Sequence, residues 1–153
     1  MNIIGIGQPG CRVAQQFKNY PQYEVFFVDT KKEKGYDNFH KVTARASHEE
    51  YEQKYRKINF KNLTGDTTII VSGAGRISGI LLRLLEQLKK QNLKILYIKP
   101  DLSTSDQNTI KREKIVFGVL QQYARSNLLD AIYVVSNPMV EKVFDAISIA
   151  SYW

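Results

Sequence analysis

The chain predicts an α/β fold, a Rossmann-like, doubly wound, mostly parallel sheet with helices on both faces. Three observations carry that prediction. Strand-like and helix-like segments alternate from one end of the sequence to the other. The strand-like runs are continuously apolar, V-F-F-V at residues 25–28 being the clearest, as in a sheet covered on both faces. Small and polar residues collect wherever a strand would hand over to its helix. No internal repeat, low-complexity stretch or linker interrupts the pattern, so residues 1–153 read as one domain.

In order, residues 2–6 are a short apolar strand containing Gly5. Gly7, Gln8, Pro9 and Gly10 make a turn. Residues 11–20 form a helix with Val13, Ala14 and Phe17 on one face, ended by Pro21. Residues 23–28 form the second strand, with Asp29 and Thr30 at its C-terminal end. A polar loop over 31–38 leads to a short strand over 39–43. Ser47 with Glu50 is a capping box that opens a charged helix running to Lys57. After a loop over 61–66, residues 67–71 form the central strand. Beyond its exit loop, Ile80, Leu81, Leu84, Leu85 and Leu88 recur at helical spacing. Residues 93–98 are a strand closed by Lys99-Pro100, and 101–108 a polar loop. Residues 110–126 are a helix with Ile115, Val119 and Leu120 inward. Residues 130–135 are the last strand. A helix over 139–149 follows, capped by Asn137 with Pro138 at its first position.

Composition narrows the partners. An apolar content of 43%, with seven Phe and nine Tyr, fits a packed core rather than a disordered chain. The formal charge of +7 favours anionic ligands or an acidic protein face. Its lysines and arginines lie on separate elements, with no basic strip interleaved with aromatics, which argues against nucleic acid. The single cysteine, Cys11, excludes an internal disulfide and a cysteine-rich zinc site. His40 and His48 lack metal-ligand spacing and read as surface or loop residues. No apolar run is long enough to span a bilayer and no signal peptide precedes the first strand. The cytoplasm, or an assembly formed in a cytoplasm, is the expected location.

In a doubly wound sheet, ligands sit outside the C-terminal strand ends. The stretch over residues 67–82 dominates there: a buried strand, the loop S-G-A-G-R-I-S-G over 72–79, and the opening of a helix. Such a loop can aim backbone N–H groups and a helix dipole at an anion, most often a phosphate. It can equally be a tight strand-to-helix turn in which Gly75 and Gly79 serve packing. A second candidate is Gly5-Ile6-Gly7-Gln8-Pro9-Gly10, a formal G-x-G-x-x-G between strand and helix, with Asp29 ending the next strand. That is a dinucleotide reading, with glycines against a pyrophosphate and the carboxylate on a ribose. Pro9 removes one donor from that loop.

Taken together the pieces resemble the N-terminal, GTP-binding half of the tubulin/FtsZ family. Gly7-Gln8-Pro9-Gly10 is similar to the G-Q-x-G of tubulins, and Val28-Asp29-Thr30 to a V-N-T after the second strand. Residues 72–79 resemble A-G-M followed by the signature G-G-G-T-G-(T/S)-G. Tyr97-Ile98-Lys99-Pro100 resembles V-T-K-P, and residues 130–137 resemble D-x-L-I-V-I-P-N. The resemblance implies GTP or GDP as ligand. Gly7, Gln8, Gly10 and Cys11 would line the phosphates, with Gln8 also near a magnesium ion. Gly73, Ala74, Gly75, Ser78 and Gly79 would cradle the β and γ phosphates. The loop from Lys99 to Asp106 would face the ribose, and Asn137 would read the guanine ring. Gln8 as a plain turn residue and Asn137 as a plain helix cap are the alternatives.

The departures carry expectations of their own. Arg76 and Ile77 replace two signature glycines. Either their side chains crowd the γ-phosphate, or Arg76 turns its guanidinium onto the phosphates. The resemblance ends at Trp153, before the family's long central helix, its acidic water-activating loop and its C-terminal domain. That implies an assembly module with little or no GTP hydrolysis of its own, and suits a mobile or viral genome. The apolar, aromatic residues 146–153 imply a partner or self-association. A structural protein that kept the fold and lost the nucleotide is the alternative, and an NAD-type dinucleotide-binding protein the second.

Overall fold

The computed structural model describes residues 1–61, 63–73, 75–100 and 106–136. Six strands form one sheet, every neighbouring pair parallel: β1 Asn2–Ile6, β2 Glu24–Asp29, β3 Phe39–Lys41, β4 Thr67–Ser72, β5 Leu93–Lys99 and β6 Ala131–Ser136. Their order is β3-β2-β1-β4-β5-β6. The helices are α1 Gly7–Gln16, α2 His48–Gln53, α3 Leu81–Gln87 and α4 Gln107–Arg125. This is the α/β, Rossmann-like architecture the sequence predicts.

Alternation within the apolar strands divides the core in two. Ile4, Phe26, Val28, Ile69, Val71, Ile95 and Tyr97 face one way, onto Tyr51 of α2, Leu81 and Leu84 of α3, and Val116 and Leu120 of α4. Ile3, Val25, Phe27, Ile70 and Ile98 face the other way, onto Cys11 and Ala14 of α1 and onto Tyr36. Tyr36 stacks on Phe27 with ring centroids 4.4 Å apart. Both faces of the sheet are therefore occupied, which is why the strands read as unbroken apolar runs. β1 leads outward to β2 on one side, and β4 to β5 on the other. The order reverses between β1 and β4, and the crevice of such a fold lies above that reversal.

Several boundaries differ from expectation. The first helix begins at Gly7, not at residue 11. A positive φ of 71° at Gly7 lets the chain pivot straight out of β1, and Pro9 is tolerated because first-turn N–H groups need no intrahelical partner. The predicted loop over 72–79 is not wholly a loop, since Arg76–Ile80 winds into a 3-10 turn. β3 stops at Lys41, two residues short. α2 stops at Gln53 rather than Lys57, because the chain beyond it is pinned to α3: Gln87 accepts from the Tyr55 hydroxyl and the Ile58 N–H, and donates to the Ile58 carbonyl at 2.6 Å. α4 starts earlier than predicted, at Gln107. Its buried stripe is Glu113, Val116 and Leu120, whereas Ile115, expected inward, is 57% exposed. The carboxylate of Glu113 turns this phase: it accepts a hydrogen bond from the buried Tyr97 hydroxyl at 3.3 Å. The turn at 136–138, the helix predicted over 139–149 and the terminal residues 146–153 lie outside the described residues, apart from Ser136. Among the described residues, no helix is long and apolar enough to cross a membrane.

Candidate functional site

Because α1 follows β1 without a loop, its N-terminus stands at the strand-end rim. Its N-cap is Ile6, which has no side chain to cap with, and Gln8 and Pro9 are exposed. The first-turn amides and the positive end of the helix dipole are thus left uncapped beside the sheet's reversal point.

The three glycines of the opening motif do different work. A Cβ on Gly10 would strike the Ile70 carbonyl of β4, and one on Gly5 would lie 2.7 Å from the Gly10 carbonyl oxygen. Both seat α1 on the sheet. Gly7 alone faces the rim, and there its missing Cβ makes room for Ile77, whose Cγ2 lies 2.8 Å from where that Cβ would be. The same methyl is 3.8 Å from the corresponding point on Gly75. Ile77 therefore bridges the loop after β4 to the start of α1.

The loop after β4 is equally committed to packing. A Cβ on Gly73 would strike the Tyr97 hydroxyl, and one on Gly79 the His48 carbonyl of α2. Ser78 is buried, and its hydroxyl donates to the Gly75 carbonyl at 2.6 Å. The Cys11 thiol is fully buried, directed at the Gly5 and Val28 carbonyls at 3.4 and 3.7 Å. Burial, then the charge of Asp29, pushes it up to about 12, so it stays a neutral thiol inside the core. Cys11 thus offers the rim no side-chain group. Asp29 is half-buried at the end of β2, and its Oδ1 accepts the Thr30 N–H at 2.7 Å. Burial raises its pKa.

Further along the rim, Lys99 ends β5 with its ammonium 5.8 Å from the centre of the Phe117 ring. Asp106 is the N-cap of α4, accepting from the Thr109 N–H at 2.7 Å, and that bond holds its carboxyl below the usual range. Ala74 and Asn137, expected against a phosphate and a base, lie outside the described residues. The structure thus brings Gly7 and Gly75 together around Ile77, and turns Gly10, Cys11, Gly73, Ser78 and Gly79 inward.

The sequence reading missed a cleft. Arg76 opens onto a cavity of about 390 Å³ with Ser47 and His48 of the α2 entry and Asn108, Lys111 and Arg112 of α4. His48 is buried rather than on the surface, and its Nε2 has no hydrogen-bond partner among the described residues. Burial lowers its pKa, against the opposing charge of Glu49 and with a smaller push from Arg112. Glu49 lines the same cleft, so three cationic side chains there stand beside one carboxylate. The capping box at Ser47 was the available signal, since it sets His48 at the first turn of α2. Among the described residues no three His, Cys, Asp or Glu side chains could hold a metal together. Gln8, an exposed neutral oxygen donor, suits magnesium only alongside the oxygens of a bound phosphate.

The described residues define a Rossmann-type α/β protein with an uncapped helix start at the strand-end rim. No family model matches the chain, and no curated protein or solved structure is similar to it.

Proposed function

We propose that the chain is a nucleotide-binding module of the tubulin/FtsZ type, taking guanine nucleotide at the strand-end rim and working in assembly. The observation that carries this reading is the uncapped N-terminus of α1, set at the reversal point between β1 and β4. A phosphate there would meet backbone donors and the helix dipole. Magnesium would enter with the phosphates, with Gln8 beside it. The guanine preference rests on the resemblance of residues 130–137, whose Asn137 would read the base. Exposed Tyr133 and Val134 on the edge strand β6 support a contact with a partner or a second copy.

A structural protein that has given up the nucleotide is the second reading, favoured by Ile77, whose methyl fills the space above Gly7. One experiment separates the two. Thermal denaturation of the full chain is followed with GTP and with ATP, each with magnesium, for the parent and for Ile77→Ala. Nucleotide binding predicts a GTP-dependent rise in Tm for the parent, enlarged several-fold in affinity by Ile77→Ala, and lost more for GTP than for ATP in Asn137→Ala. A silent parent with a responsive Ile77→Ala assigns Ile77 as a plug and favours the structural reading. Silence in both refutes the nucleotide site.

A further inference from the structure

We propose that the groove beside β3 is a second anion site, shaped for a small organic phosphate with a planar body. It is a cavity of about 360 Å³ between β3 with the residues after it and the segment that follows α2. Tyr51 and Ile58, buried, and Tyr55, half-buried, give it an aromatic and apolar floor. Its rim carries Lys41, Arg45, Lys54, Arg56 and Lys57, and no Asp or Glu among the described residues lines it. Of the five, Lys54 alone has a carboxylate within reach among the described residues, Glu50 at 3.8 Å. Arg45 is half-buried, yet makes no hydrogen bond or ion pair with any described residue. A guanidinium partly withdrawn from water ordinarily has an acceptor, and its planar fork matches a phosphate.

The floor is held in place before any ligand arrives. Gln87 of α3 clamps Tyr55 and both backbone groups of Ile58, so the wall needs no ordering on binding. The volume is at the small end of ligand pockets, which suits one ring system and one phosphate rather than a dinucleotide. A ring would lie on the tyrosine floor while its phosphate met Arg45 and the lysines. The groove shares no lining residue with the Arg76 and His48 cleft. It stands or falls independently of the nucleotide site at the rim.

The test is an amide-resolved NMR titration of the ¹⁵N-labelled full chain with AMP, adenosine and inorganic phosphate at low salt. AMP is expected to shift the amides of Val42, Arg45 and Ile58, and to bind more tightly than either of its halves. Arg45→Ala combined with Lys57→Ala should weaken AMP about tenfold or more, with the spectrum elsewhere unchanged. Ile77→Ala should leave this binding as it was. Absence of AMP shifts overturns the proposal, as do shifts confined to Gly7, Gln8 and Arg76. A short single-stranded DNA that engages these cations while AMP does not would replace the pocket by a polyanion surface, and overturn it too.

Discussion

At the scale of single residues, the glycines divide by what their missing side chain makes room for. Gly10 lies against a main-chain carbonyl of the next strand, which cannot yield. Gly10→Ala is expected to cost about 1–3 kcal/mol, read as a lowered Tm. Gly118, inside α4 with no described atom within 4 Å of an added Cβ, should behave oppositely: Gly118→Ala should gain about 0.5–1 kcal/mol. The spacing of Gly5, Gly7 and Gly10 was legible in the sequence. Which of them faces the rim and which faces the protein's own backbone was not, because that depends on β4 arriving sixty residues later. Cys11 is similar. Its place in a phosphate-loop motif suggested a rim residue, while packing against β1 and β2 sends its thiol inward. Iodoacetamide at mildly alkaline pH should therefore leave the native protein unmodified and label it in urea, a difference mass spectrometry reads directly.

At the scale of elements, the helices were recognised by period and misjudged in phase or length wherever a polar group decided the outcome. Apolar spacing places Ile115 inward in α4, but a buried Glu113 answering the Tyr97 hydroxyl rotates the stripe. No hydrophobic pattern announces a buried carboxylate. The end of α2 was hidden for a related reason, since Gln87, far off in sequence, draws Tyr55 and Ile58 out of the helix. Caps were more readable: Ser47 accepts from the Glu50 N–H as the capping box predicts. The family resemblance puts Asp106 in a ribose-facing loop, and its bond to the Thr109 N–H gives it a role in the helix itself. Asp106→Ala should cost about 1 kcal/mol, measured by urea denaturation, while Asp106→Ser should restore most of it.

For the whole molecule, strand number and parallel pairing followed from the alternation of elements and the doubly apolar strands. The cleft under Arg76 did not, because it joins the entry of α2 to the face of α4 across a sheet whose order the sequence leaves unstated. Acid should reveal the two histidines together. Burial depresses the pKa of both His40 and His48 below their ordinary 6.5. The unfolded chain then binds protons that the folded chain refuses, so stability is complete above about pH 6.5 and declines as pH falls below it. Tm should drop between about pH 7 and pH 5, and His48→Gln should flatten part of that slope.

Asn2 pairs with Thr67, and the same strand pairs with Glu24 on its other side. A chain emerging from the ribosome therefore presents β1 with one flank satisfied early and the other open until β4 has been synthesised. During that interval the unpaired backbone of Asn2–Ile6 is a template for any passing extended chain. The uncapped start of α1 grows directly out of this waiting strand, so the crevice is completed only when β4 docks. Completion of the crevice and closure of the sheet are, for the newborn protein, a single late event.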